Sequence, residues 1–359
     1  MIITRTPFRI TLGGGGTDLP SYYARYGGFI FAAALDKYMF ISVNRPIVDD
    51  LVRVKYSKSE IVDHRDALQH EIAREALRLA GIERGLEITS MADVPAGTGL
   101  GSSSCYAVGL LHALHTLRRR PVDYQALAEE ACKLEIEILG KPIGKQDQYM
   151  ASFGGLTVLE ITTDGRVHVS RARISESTLD DLARNLLIFY TGAERSSHDI
   201  LSEQSRGVSS AAPQVLESLH AIKEMGYRIR EMLEAGNLTD FGVELDRHWQ
   251  MKKRLSARVT NARFDQLYQL AKENGALGGK ISGAGGGGFF VFYTERGQQQ
   301  LRDAMRRAGL REMRYRFDFG GTKVVANLID GTSYGNGIAD APWAPGVRTE
   351  LEIAQRADP

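Results

Sequence analysis

Cysteine is scarce in this chain of 359 residues: Cys105 and Cys132 are the only two, too few for a disulfide framework or a thiolate metal site. Both sit in apolar helical patterns and are expected to be small buried hydrophobes. Long hydrophobic runs are missing too. The most apolar stretch, residues 29–35, stops at Asp36-Lys37 and is too short to span a bilayer. The opening Met-Ile-Ile-Thr-Arg-Thr-Pro has no basic segment leading into an apolar one, so no signal peptide and a cytoplasmic location are expected. Charge of one sign is not in excess. With a net charge of +1 and Lys and Arg scattered along the chain, neither nucleic acid nor membrane is expected as a partner; a homo-oligomer stays open. The eight histidines include no His-Glu-x-x-His and no pair at metal-ligand spacing.

What remains is ordinary globular composition, 43% hydrophobic and 25% charged, long enough for two domains. Residues 2–12 read as a strand broken at Pro7, 28–44 as two strands and 51–57 as another. Apolar spacing predicts helices over 67–79, 105–117 and 124–139, with strands at 86–91, 155–161 and 167–170. The polar stretch 174–183 suggests a boundary, dividing the chain into residues 1–178 and 179–359. Beyond it come a strand at 186–190, helices around 213–235, 237–255 and 263–274, and a glycine-rich loop at 278–288. A strand at 289–293, a helix at 298–308 and strands at 313–319 and 322–328 close the second half. This order predicts an α+β protein of two lobes with a cleft between them.

Residues 95–104 read Pro-Ala-Gly-Thr-Gly-Leu-Gly-Ser-Ser-Ser and lead straight into a helical pattern. Gly97, Gly99 and Gly101 let the backbone turn tightly, and the helix aims unpaired N–H groups and its positive dipole end at whatever sits there. Ser102, Ser103 and Ser104 offer hydroxyls that can cap the helix, bond phosphate or ligate magnesium. Taken alone, the segment reads first as a flexible loop before an ordinary N-cap. Its company decides: 7–18, 135–148 and 280–288 supply a second glycine loop and two carboxylate-bearing segments, the parts that nucleotide-dependent phosphoryl transfer needs. Other nucleotide motifs fail. Gly279-Lys280 is followed by Ile281, which breaks the P-loop pattern, and Gly97-Thr98-Gly99 leads to Ser102 rather than glycine. His64-Arg65-Asp66 and Asp318-Phe319-Gly320 mimic protein-kinase triplets, but lie too far apart and lack their companions.

Together these segments resemble the GHMP kinases, the family of galactokinase, homoserine kinase and mevalonate kinase. The stretch 95–104 is similar to their central ATP-binding motif, 275–288 to their third motif, and 6–18 (Thr-Pro-Phe-Arg-Ile-Thr-Leu-Gly-Gly-Gly-Gly-Thr-Asp) to their first. The resemblance implies a two-lobed fold: an N-terminal lobe like ribosomal protein S5 domain 2 and a ferredoxin-like C-terminal lobe. It implies ATP and Mg2+ as cofactors, with Pro95, Gly97, Thr98, Gly99, Leu100, Gly101 and the three serines at the nucleotide.

The segment 135–148 aligns without gaps to the galactokinase-type stretch, which implies Glu135 with Ser103 at the metal and Asp147 as base toward the sugar hydroxyl. Arg9 matches the arginine that supports transition-state charge. Without the motif, Glu135 reads as a solvated helix charge, Asp147 as a turn or N-cap aspartate, and Arg9 as a surface strand residue.

Where galactokinases carry Glu-His before Thr-Asp, this chain has Gly15-Gly16, which leaves room for something longer than a hexose. With Gly-Lys-Gln-Asp-Gln-Tyr-Met at 144–150, the pattern resembles bacterial D-glycero-D-manno-heptose 7-phosphate kinases, which phosphorylate the anomeric hydroxyl. The expected acceptor-side residues are Gly15, Gly16, Thr17, Asp18, Lys145, Gln148, Arg195, Gly283, Gly285 and Gly286. For a distal phosphate the candidates are Lys37, Arg45, Lys141, Lys145, Arg195 and Lys253, with Lys145 first. The alternatives are another sugar-1-kinase of the family, acting on fucose or galactose, or a sugar-sensing homologue without catalysis.

Overall fold

Two sheets organise the computed structural model, which describes residues 1–193 and 197–329; Met1–Asn327 form one compact unit. The strands are β1 (Ile2–Gly13), β2 (Gly28–Asn44), β3 (Val52–Lys55), β4 (Ser59–Val62), β5 (Leu86–Ala92), β6 (Leu156–Ile161), β7 (Val167–Arg171), β8 (Leu186–Tyr190), β9 (Gly278–Ile281), β10 (Phe289–Tyr293), β11 (Arg311–Glu312) and β12 (Lys323–Asn327). The helices are α1 (Pro20–Tyr26), α2 (Glu71–Leu79), α3 (Ser102–Leu117), α4 (Tyr124–Cys132), α5 (Gln146–Phe153), α6 (Glu176–Asn185), α7 (Ser197–Ser209), α8 (Pro213–Glu234), α9 (Leu238–Lys253), α10 (Ala262–Glu273) and α11 (Gln298–Arg307). No described helix is long and apolar enough to cross a membrane.

The first sheet runs β12-β1-β2-β5-β3-β4, with β6 and β7 attached through β2. Residues 28–44 form one strand, not the expected two. Its length lets Gly28–Ala33 pair with β6 and Met39–Asn44 pair with β5, while the other edge pairs with β1. Strand β1 likewise runs unbroken through Pro7, and the proline is absorbed by a register shift between Pro7 and Arg9. Helix α3 lies across β1 and β2, with Leu110, Leu111 and Leu114 buried and the Thr4 hydroxyl donating to the Gly109 carbonyl.

The second sheet has the order β11-β8-β10-β9, all pairs antiparallel. With helices between β8 and β9 and between β10 and β11, this is the βαββαβ arrangement of a ferredoxin-like lobe, as expected. Its core is aromatic: Trp249, Phe264, Phe290 and Phe292 pack together, each large side chain contributing about 1.5–3 kcal/mol by burial.

The polar stretch 174–183 forms helix α6 and its cap: the Ser175 hydroxyl accepts the Thr178 N–H, and Leu182 is buried. One further expectation is corrected. The strand near 322–328 does not complete the second sheet; β12 returns to pair with β1 of the first. The chain passes from the first sheet to the second between β7 and β8, and both sheets belong to a single unit.

Candidate active site

A cleft of about 1080 Å³ gathers residues from β1, the 95–104 turn, the 140–147 segment, α7, α9 and the 280–287 loop. Gly101 adopts φ 85° and ends the turn, leaving the first-turn N–H groups of α3 without a side-chain cap. The two glycine loops touch backbone to backbone. A Cβ on Gly283 would stand 2.7 Å from Gly99, and the Ser282 hydroxyl donates to the Gly99 carbonyl at 3.2 Å. Only glycine permits that approach.

Asp147 lies in the first turn of α5, a helix the sequence reading did not separate from its motif. Arg9 Nε and Nη2 donate to its Oδ1 at 2.7 and 2.6 Å, and Gln146 Nε2 donates to the same oxygen at 3.0 Å. Arg9 Nη1 donates to the Gly99 carbonyl at 2.7 Å, tying the pair to the glycine turn. With 3% exposure Arg9 is no surface strand residue. The other carboxylate oxygen, Oδ2, faces Gly101: a Cβ there would stand 3.3 Å away. Among the described residues no hydrogen bond reaches Oδ2. One oxygen is anchored and the other is available, beside the uncapped N-terminus of α3.

Glu135 is fully buried. The helix expected over 124–139 becomes π-helical over Lys133–Ile138, and this wider turn carries the carboxyl toward α3. Ser104 Oγ and Gln148 Nε2 each donate to its Oε2 at 2.7 Å, while Oε1 is buried without a partner. Burial pushes the carboxyl pKa up, offset in part by the hydroxyls of Ser104 and Ser103 and the Gln148 amide. An orphaned buried carboxylate oxygen beside exposed Ser103 suits a hard cation, which takes one or two carboxylates and completes its shell with phosphate and water. Among the described residues no cluster of three or more His, Cys, Asp or Glu offers an all-protein cage.

Of the expected nucleotide residues, Pro95, Gly97, Gly99, Gly101, Ser102, Ser103 and Ser104 line the cleft. Thr98 and Leu100 do not: the Thr98 hydroxyl donates to the Pro95 carbonyl, and the buried Leu100 accepts the Arg9 N–H through its carbonyl. On the acceptor side, Gly15, Gly16, Asp18, Gly283 and Gly285 line the cleft. The Asp18 carboxylate accepts the N–H groups of Gly16 and Gln146, so it also fixes the start of α5; burial raises its pKa.

Four acceptor-side expectations are corrected. The Thr17 hydroxyl is fully buried, 2.8 Å from the carbonyls of Gly14 and Phe29, and accepts the Phe29 N–H. Lys145 turns away to the Glu129 carboxylate and the Gly165 carbonyl, so it also loses its place as first candidate for a distal phosphate. Gln148 is buried and holds Glu135, and Gly286 lies behind the loop, its N–H donating to Val259. Arg195 lies outside the described residues.

The sequence reading missed His248, Lys252 and Lys280, all buried and all lining the cleft. Lys280 sits in a quoted motif and its charge was a signal. His248 and Lys252 lie in an ordinary helical pattern and gave none. A different part of the cleft is aromatic: His70 stacks on Tyr106 at 4.5 Å and meets Tyr56 edge-on at 4.6 Å.

Comparison with known proteins adds family relationships. Residues 67–155 match the GHMP kinases N terminal domain and residues 229–310 the GHMP kinases C terminal domain. The chain is 30% identical over 308 residues to the D-glycero-alpha-D-manno-heptose 7-phosphate kinase of Campylobacter jejuni, covering 82% of this chain and 89% of that one. It is 25% identical to a galactokinase of Pyrococcus furiosus, covering 92% and 98%. Among solved structures, a D-glycero-D-manno-heptose 1-phosphate kinase from Bacteroides thetaiotaomicron superposes with a TM-score of 0.75 at 23% identity, covering 91% of this chain and 99% of that one, which shows a shared fold.

Proposed function

The chain belongs to the GHMP kinase family and is an ATP-dependent phosphotransferase acting as a sugar kinase, and from that premise we propose that its acceptor is the anomeric C1 hydroxyl of D-glycero-D-manno-heptose 7-phosphate. The product is the 1,7-bisphosphate, a precursor of nucleotide-activated heptose for surface polysaccharide. The observation that carries the reading is Asp147: one carboxylate oxygen is held by buried Arg9, the other is open beside the N-terminus of α3.

The chemistry follows from that geometry. The first-turn N–H groups of α3 and the serine hydroxyls receive the phosphate chain of ATP. The aromatic group around His70 and Tyr106 suits a nucleobase. Glu135 and Ser103 would hold Mg2+, which when bound neutralises phosphate charge. Asp147 Oδ2 takes the proton of the acceptor hydroxyl as that oxygen attacks the terminal phosphorus, and ADP leaves with the electron pair of the broken P–O bond. Arg9 orients Asp147 and places positive charge next to the transferring group.

The 30% identical relative supports a heptose phosphate over a hexose; the room expected at Gly16 is taken up by Gln204, whose Nε2 would stand 2.5 Å from a Cβ there. A sensor without catalysis has no need for the Asp147–Arg9 pair together with the buried Glu135. The test is a panel of heptose 7-phosphate, free heptose, L-fucose and galactose with ATP and Mg2+, followed by ADP release and phosphorus NMR. Heptose 7-phosphate is expected to give the highest kcat/KM and a new anomeric phosphate signal. Preference for an unphosphorylated sugar, or a product phosphorylated elsewhere, overturns the assignment.

A further inference from the structure

The cleft carries a group of cations that the chemistry above leaves unused. His248 and Lys252 stand four residues apart on α9 and share one face, packed against β9, where Lys280 lies. Lys252 Nζ donates to the carbonyls of Ile281 (2.8 Å) and Gly283, and Lys280 Nζ donates to the Leu12 carbonyl at 2.8 Å. Neither ring nitrogen of His248 has a partner. Among the described residues neither ammonium is paired with a carboxylate, and the charges that act on them are cations: Arg9 on both lysines, and Lys252 on Lys280.

Burying positive charge without a counterion is costly, and burial pushes Lys252 down to about 7 and Lys280 and His248 well below their ordinary values. A bound anion favours the protonated amines, and an ammonium has three donors, so Lys280 would keep two and Lys252 one beyond the carbonyls they hold. With a His248 N–H, these donors suit the oxygens of a phosphate monoester, whose charge would also repay the desolvation. The position fits. Lys280 reaches Leu12, immediately before the glycine run of the acceptor motif, and Lys252 holds the Gly283 turn against Gly99.

We propose that His248, Lys252 and Lys280 form a second anion site in the cleft, beside the Gly283 turn, that holds the phosphate already carried by the acceptor sugar. This rests on the sugar-phosphate reading above. The terminal phosphate of ATP offers the same chemistry, so the experiment separates the two sources.

Lys252→Met and Lys280→Met are compared with Lys252→Arg and Lys280→Arg, with folding checked by thermal melting. The first arm titrates inorganic phosphate into nucleotide-free protein by calorimetry. The second measures KM for heptose 7-phosphate, for the free heptose and for ATP. The Met variants are expected to weaken phosphate binding and to raise KM for the phosphorylated sugar about 10- to 100-fold, the factor for one charge-assisted hydrogen bond. Loosening the Gly283 turn would touch all substrates alike, whereas loss of the site should raise KM far more for heptose 7-phosphate than for free heptose or ATP. The Arg variants should recover much of that rise, and an equal rise for all three substrates overturns the proposal. A rise confined to the ATP KM assigns the cluster to the nucleotide and overturns the proposal. Unchanged phosphate binding and acceptor discrimination in correctly melting Met variants overturn it as well. If the parent enzyme itself prefers an unphosphorylated sugar, the heptose 7-phosphate reading fails, and the first arm still decides whether an anion site exists.

Discussion

Replacing Asp147 by Asn isolates proton acceptance from scaffold. The amide oxygen can still accept from Arg9 Nε and Nη2, which now reach Oδ1 at 2.7 and 2.6 Å, so the side chain should stay in place. What disappears is the negative charge opposite a guanidinium with 3% exposure. A fully buried pair losing one charge would cost about 3–5 kcal/mol, but the Asp147 side chain is 26% exposed and water screens it, so about 1–2 kcal/mol of stability is expected to go. The kinetic loss is larger. An amide cannot take the acceptor proton, and general-base assistance is worth about 100- to 10,000-fold, or roughly 3–5 kcal/mol of activation free energy. ADP release coupled to NADH oxidation gives kcat, calorimetry gives nucleotide affinity, and a melt gives stability. Turnover should fall by at least about 100-fold with ATP affinity nearly unchanged, because the proposed function holds the nucleotide at the α3 terminus rather than at Asp147. Turnover within about threefold of the parent, in a protein that melts as expected, would refute the assignment of Oδ2 as proton acceptor.

Glu135→Gln preserves the shape and the bonds from Ser104 and Gln148 but removes the charge beside the orphaned oxygen. The Mg2+ concentration for half-maximal rate is expected to rise about tenfold or more in a metal titration, and an unchanged titration would remove Glu135 from the metal site. Thr17→Val strips the hydroxyl that accepts the Phe29 N–H, so about 1–3 kcal/mol of stability should be lost in denaturant unfolding while KM for the acceptor stays put. A large KM effect without destabilisation would restore Thr17 to the substrate. Lys252 is held down at about 7 against an ordinary value near 10.5, so between those pH values the unfolded chain binds the extra proton. Ligand-free protein should therefore gain stability as pH rises through that window, by an amount on the order of a few kcal/mol, and Lys252→Met should flatten the slope in melts across pH 7–10.

Much of this molecule is legible in local pattern. Helical spacing marked α8, α9 and α10 to within a few residues, because their buried faces repeat with the helix period, while α3 showed as the long apolar run behind the glycine and serine turn. Helix α5 was hidden, since Gln146–Phe153 buries most of its residues and shows no polar face to alternate with. Helix α6 was hidden for the opposite reason: only Thr178 and Leu182 are buried, and most of its other side chains are charged or polar.

The site divides in the same way. The glycine and serine pattern of 95–104 is a backbone requirement, readable because only glycine takes those turns, and motif resemblance marked Asp147, Arg9 and Glu135. Which side chains face the cleft is another matter. Thr17, Lys145 and Gln148 belong to the right segments, yet their polar atoms are taken up by Phe29, Glu129 and Glu135, partners 12, 16 and 13 residues away. His248 and Lys252 come from a helix with no motif and reach the cleft only because α9 packs on β9. Sequence alone determined the chemistry the backbone can offer. Tertiary packing decided which charges are buried without partners, because desolvation depends on every neighbour at once and no single segment encodes it.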